Sequence, residues 1–206
     1  MTAIPVSLAV EDELSEYVVR TMLNHANRGY AIGTVFRRGG FGHLRIRARE
    51  FNRAARGLPY LMLTDLDDSP CASFLIDEWL GKNETKHPNF LLRVAVREVE
   101  AWLLADRSNL ARFLAAPEKL FPTQGVELLR DPKKTLVEIA ARSKSYETRA
   151  RIVPKRGSTA KQGPDYNACL GDFVLRQWNI ERAAQESESL ERTMNRLQTF
   201  RPTWGE

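Results

Sequence analysis

The sequence predicts an α/β protein: a mostly parallel sheet of about four strands flanked by helices, followed by a C-terminal helical subdomain. Three observations carry this. Short apolar runs of strand length alternate with segments of helical period through residue 106. Acidic residues close the first, third and fourth of those runs, and ligands bind at such strand ends in open α/β sheets. Beyond residue 106 no convincing strand follows, and the apolar spacing is helical. The expected division is residues 1–106 as the α/β part and 107–206 as a helical extension with a basic loop, the two packed as one compact unit.

In order, residues 4–10 read as a first buried strand, with Pro5 near its start, where it interrupts pairing least. Glu11, Asp12 and Glu13 end it, and 14–26 carry Leu14, Tyr17, Val18 and Met22 at helical spacing. A second strand is expected over 30–36, then a basic, glycine-rich loop over 37–43. Residues 44–56 read as a basic helix ended by Gly57 and Pro59. The third strand, 60–64, runs into Asp65, Asp67 and Asp68, making three carboxylates within four positions. A helix over 69–80 has Ser69 as expected N-cap, Pro70 in the first turn and Gly81 after its end. The fourth strand is expected over 90–96 and a helix over 97–105. The later helices are expected over 110–120, 132–142, 169–178 and 180–200, with a loop over 155–165.

Composition is that of a globular protein, 43% hydrophobic and 28% charged, with no apolar run approaching a membrane span. The N-terminus lacks a basic region and a small-residue cleavage site, so no signal peptide is expected. Cys71 and Cys169 stand far apart without paired histidines, which argues against a disulfide framework or zinc site. The expected location is cytoplasmic, with no membrane partner.

Charge distribution says more than the net +5. Acids gather at three strand ends: Glu11, then Asp65, Asp67 and Asp68, then Glu98 and Glu100. In a parallel sheet these ends share one edge. Unpaired carboxylates so placed repel one another and bind protons tightly unless a cation neutralises them. Oxygen ligands of this kind suit Mg2+ or Mn2+, and such ions serve phosphoryl transfer or phosphodiester hydrolysis. Between residues 142 and 161 the bases Arg142, Lys144, Arg149, Arg151, Lys155, Arg156 and Lys161 oppose Glu147 alone. That run suits a polyanion, or a solvated surface loop.

These residues resemble a Toprim domain, the fold of topoisomerases, primases and several nucleases. That family places a glutamate after strand one and Asp-x-Asp after strand three. Ala9-Val10-Glu11-Asp12 matches the first motif, with Asp12 where the family has glycine, and Thr64-Asp65-Leu66-Asp67 matches the second. The stretch Glu98-Val99-Glu100-Ala101-Trp102-Leu103-Leu104-Ala105-Asp106 resembles a Toprim-like family of unknown function, as do Gly163-Pro164-Asp165-Tyr166-Asn167 and the late Ser187, Ser189 and Leu190. That family looks related to the nuclease half of overcoming-lysogenization-defect (OLD) proteins, which join an ATPase to a Toprim nuclease.

The resemblance implies a metal-dependent nuclease working beside an ATPase partner in phage defence. It implies Glu11 as metal ligand or general base and Asp65 and Asp67 as metal ligands. Glu100 is the chosen additional ligand, with Glu98 beside it, and Lys155 is assigned to the transition-state phosphate. Arg37, Arg38, Arg151, Lys155, Arg156 and Lys161 are the expected nucleic-acid contacts. Trp102 and Trp178 are expected to pack in the core rather than stack on bases. The glycines at 39–42 lack the spacing and lysine of a phosphate-cradling loop. Two rival readings are a non-catalytic module binding nucleic acid or an ATPase, and a phosphohydrolase for small phosphate esters.

Overall fold

The structure, a computed structural model, describes residues 3–37, 40–81 and 84–204, the side chains of residues 40 and 41 aside. Strands β1 (Ile4–Ala9), β2 (Tyr30–Phe36), β3 (Tyr60–Asp65) and β4 (Phe90–Ala95) form one wholly parallel sheet in the order β2-β1-β3-β4. The expected α/β architecture is the observed one. β1, β3 and β4 are apolar almost throughout because helices cover both sheet faces. β2, an edge strand, is the most exposed of the four.

Helix α1 (Glu13–His25) follows β1. Asp12 caps it, its carboxylate accepting a hydrogen bond from the Ser15 amide at 2.8 Å, and Glu13 and Glu16 complement the dipole in the first turn. Leu14, Val18, Val19, Met22 and Leu23 are buried, each worth roughly 1.5–3 kcal/mol over the exposed state. On the opposite sheet face lie α2 (Gly40–Ala54) and α3 (Ala72–Leu80), whose core includes Leu44, Phe51, Leu75 and Trp79.

Helix α4 (Val99–Ala105) is buried on every side, as a helix apolar at six of seven positions is expected to be, yet it carries Glu100. Against it pack α5 (Arg107–Phe113), α6 (Pro132–Ala140) and α9 (Ile180–Glu186); α8 (Tyr166–Arg176) and α10 (Glu188–Thr199) reach it through Tyr166 and Ser189, and α7 (Tyr146–Ile152) packs on α6 and α8. The core on this side runs from Ile4 on β1 to Phe200, so the late helices complete the burial of the sheet. Helices α1 and α8 close tightly because Gly171 has no Cβ; one would stand 2.4 Å from the Tyr17 ring.

Several local expectations are corrected. Ser69 does not cap α3, which begins at Ala72 with Cys71 at the cap position and no side-chain hydrogen bond there. Part of the expected glycine-rich loop is helical, since α2 starts at Gly40. The expected helix over 180–200 is two helices. Ser187 is extended at the break, and its hydroxyl caps α10 at Leu190 N while donating to Glu127. Helix α7 lies inside the basic run, where charge masked a single short turn of apolar pattern.

Candidate functional site

The strand order reverses at β1: the chain steps to β2 on one side and returns to β3 on the other. Outside the carboxyl ends of β1 and β3 the loops part, which is where open α/β sheets hold ligands. Glu11 leaves β1 there and Asp65 is the last residue of β3. The two are joined directly. Glu11 Oε1 accepts hydrogen bonds from Thr64 Oγ1 at 2.6 Å and from the Asp65 amide at 3.1 Å. Asp12 is extended (φ −146°), a conformation open to any residue, so the family's glycine is not needed by this backbone.

Asp65 Oδ1 accepts from the Val99 amide at 2.9 Å, tying β3 to the start of α4. Two residues on, Asp67 is left-handed (φ +47°), a region that disfavours most side chains and is tolerated by Asp. Arg97 clamps that turn: its guanidinium donates to Asp67 O at 2.7 Å and its carbonyl accepts from Asp67 N at 3.1 Å.

Glu98 and Glu100 come from the start of α4. Glu98 Oε2 accepts from the Lys133 amide at 2.8 Å, so it also serves the N-terminus of α6. Glu100 is buried and accepts from Tyr166 OH at 2.9 Å, while Lys133 Nζ lies 3.5 Å from the same oxygen.

The electrostatics follow from burial. Asp65 is raised well above the carboxylate range, first by loss of solvent and then by the charges of Glu100 and Glu11. Burial likewise raises Glu11, Asp67 and Glu100, with Thr64 opposing it at Glu11 and Lys133 opposing it at Asp67 and Glu100. Glu98 is pushed up to about 7 by burial and by Glu100. Burial pulls Lys133 down, but Glu100, Asp65, Glu98 and Asp12 outweigh it and hold the ammonium above its ordinary range.

The chain thus gathers five sequence-predicted acids, Glu11, Asp65, Asp67, Glu98 and Glu100, around one electrostatic centre. Lys133, which sequence reasoning missed, supplies its cationic field. Only the acid–base pattern Asp131-Pro132-Lys133-Lys134 hinted at it, and nothing local distinguishes Lys133 from Lys134. Lys155 is exposed, and the lysines that lower Asp67 are Lys133 and Lys161.

Among the described residues, no three His, Cys, Asp or Glu side chains stand in an arrangement that holds a metal ion. The donor set matches a hard divalent cation in charge and ligand type, and not in assembled geometry.

Beside the acids opens a polar cleft of about 660 Å³, lined by Asp67, Asp68 and Glu98 on one hand and Arg45, Arg97, Arg130 and Lys161 on the other. Of the expected nucleic-acid contacts among the described residues, only Lys161 lines it. Arg37 pairs with Glu13 and Glu16. Arg151 pairs with Asp165 and Asp172 at the foot of the basic loop, where Gly163 is obligatory because a Cβ would meet Arg151 O at 2.3 Å. Arg156 is exposed alongside Lys155, and Arg38 lies outside the described residues.

The other signature residues are structural. Trp102 is buried and donates to Ser189 Oγ at 2.7 Å, and that hydroxyl also bonds Glu127. Trp178 is buried as well. Asp106 accepts from the Asn179 amide at 2.7 Å.

Fold and site together define a parallel α/β protein with a buried carboxylate cluster at its switch point. No protein-family model, curated protein or solved structure matches the chain. Among the described residues no helix is long and apolar enough to cross a membrane.

Proposed function

We propose that this chain is a Toprim-type nuclease that hydrolyses phosphodiester bonds with Mg2+ or Mn2+, akin to the nuclease half of OLD proteins. In this reading it acts in the cytoplasm, in phage defence, beside an ATPase partner. One observation carries the proposal: Glu11, Asp65 and Glu100 share one buried electrostatic site, with raised proton affinity and the Lys133 ammonium beside it, at the switch point of a parallel sheet.

A divalent ion at this site would supply Lewis-acid activation of water and of the phosphate. Asp65, Asp67, Glu98 and Glu100 are the oxygen donors for it. Glu11, fixed by Thr64, is a ligand or the group that takes the proton from water. Lys133 faces the same acids and offsets negative charge as the phosphate approaches. Arg97, Arg130 and Lys161 line the cleft through which a strand would pass.

The test is cleavage of single- and double-stranded DNA and RNA by the purified chain, with each metal, alone and with an ATPase partner. Activity lost in Asp65→Ala supports the reading; no cleavage under any of these conditions defeats it. A second reading, a non-catalytic module that binds nucleic acid or an ATPase, is favoured by the absence of an assembled three-ligand group among the described residues. Calorimetric titration with Mn2+ separates the two, since only the nuclease needs the ion.

A further inference from the structure

A second cluster of charge lies away from the acids, on the edge strand β4. Arg93 projects from β4 toward α10, where its Nε donates to Thr193 Oγ1 at 3.2 Å. Arg196, one turn along α10, donates to Pro88 O at 3.3 Å and stacks over Phe200 at 5.4 Å. Lys86 stands two residues before Pro88.

Among the described residues none of these three side chains forms an ion pair, whereas neighbouring Arg192 is neutralised by Glu188. The Arg93–Thr193 and Arg196–Pro88 bonds bring strand, helix and loop together here, and three cations on them without a counter-ion among the described residues are costly, the more so for Arg93, which is only partly open to solvent. Their proton affinities show it. Arg93 is lowered first by burial and then by Arg196 and Arg192, and Lys86, exposed as a whole residue, first by partial loss of solvent around its ammonium and then by Arg93 and Arg196.

The cluster is also held in place. Asn52 grips the backbone on both sides of Lys86, donating to Thr85 O at 3.1 Å and accepting from His87 N at 2.8 Å. The Nη groups of Arg93 and the ammonium of Lys86 make no hydrogen bond among the described residues. Free donors on a pinned frame are what an anion site consists of.

We propose that Lys86, Arg93 and Arg196 form a phosphate-binding site distinct from the acid cluster. Phosphate fits better than carboxylate. It brings up to two charges and several acceptor oxygens to donors arriving from a loop, a strand and a helix. The group is either a phosphate of a nucleic-acid strand or free phosphate and its small esters. The site does not depend on the acids cutting anything.

The experiment is thermal melting of the full chain in sodium phosphate against sodium chloride at matched ionic strength, for wild type, Arg93→Met and Lys86→Gln. Fluorescence anisotropy with a DNA oligonucleotide in EDTA accompanies it, so that cleavage is silent. Phosphate should raise the wild-type melting temperature specifically, and Arg93→Met should weaken that binding at least about 10-fold. Weaker DNA binding in the same variants, with a salt slope reduced by about one per lost contact, assigns the site to a nucleic-acid strand. Unchanged DNA binding with lost phosphate binding assigns it to free phosphate. The proposal is overturned when phosphate and chloride act alike on wild type, or when both variants respond to phosphate as wild type does. Lys86→Gln, at an exposed position, decides the matter should Arg93→Met fail to fold. Retained phosphate binding in a protein that cuts nothing counts against the nuclease reading and leaves this site standing.

Discussion

Lys133 Nζ stands 3.5 Å from Glu100 Oε1, and this ion pair joins the two halves of the chain at the candidate site. The carboxylate belongs to a helix buried on all sides, and the ammonium to the first turn of α6, more than thirty residues later. Removing one partner of a buried pair strands the other, at a cost of about 3 kcal/mol or more. Lys133→Met should therefore lower stability by that order in urea denaturation. Adding Glu100→Gln should recover most of it, because the stranded charge is gone. Additive losses in the double variant would refute the coupling.

Asp65→Asn separates chemistry from architecture. The amide oxygen can keep the bond to Val99 N, and the burial cost of the carboxylate disappears. If the proposed nuclease reading holds, cleavage should fall by roughly 100-fold or more, while the metal-free melting temperature holds or rises. A variant that melts much lower but cuts normally would assign Asp65 a purely structural role.

Stability should fall as pH rises from about 4.5 to about 7 when no divalent cation is present. Glu98 titrates near 7 in the fold and near 4.5 unfolded, so the folded state holds the extra proton. Its contribution is complete below about pH 4.5 and is lost on the way to about pH 7. Asp65, Glu100 and Glu11 are raised too and act in the same direction. Lys133, raised from 10.5, loses its contribution only above that value and does not alter this window. Melting curves from pH 5 to 8 should show the decline, Glu98→Gln should flatten it, and Mg2+ or Mn2+ should restore more stability at pH 8 than at pH 5.5.

Asp67 carries two burdens, a left-handed backbone and a carboxylate. Asp67→Gly should fold normally, since glycine adopts φ +47° freely, and should bind Mn2+ more weakly. Asp67→Ala should lose about 1 kcal/mol of stability besides. Chemical denaturation and calorimetry read the two effects separately.

Ser189→Ala should destabilise by about 1–3 kcal/mol, because it leaves the buried Trp102 indole N–H without its acceptor. The activity per folded molecule should remain, and a variant that folds well but cuts poorly would move Ser189 from the scaffold to the site.

The acids themselves were legible because their placement follows from local pattern: a buried strand is a short apolar run, and its charges fall where burial stops. Glu11, Asp65, Asp67, Glu98 and Glu100 could all be found this way. The start of α3 after Cys71, the break at Ser187 and helix α7 were not: no side-chain bond marks the first, a hydrogen bond sets the second, and the third is a single short apolar turn with little periodic signal.

By itself, then, the sequence determined the alternation of strands and helices and the acidic edge, both consequences of nearest-neighbour hydrophobic patterning. Only the tertiary structure decided which cation meets those acids. Lys155 sits in the conspicuous basic run, yet it is exposed, and Lys133 is the one that reaches Glu100. The physical reason is that long-range pairing depends on how α6 docks on α4, a matter of packing shape and burial that charge counting along a chain does not contain.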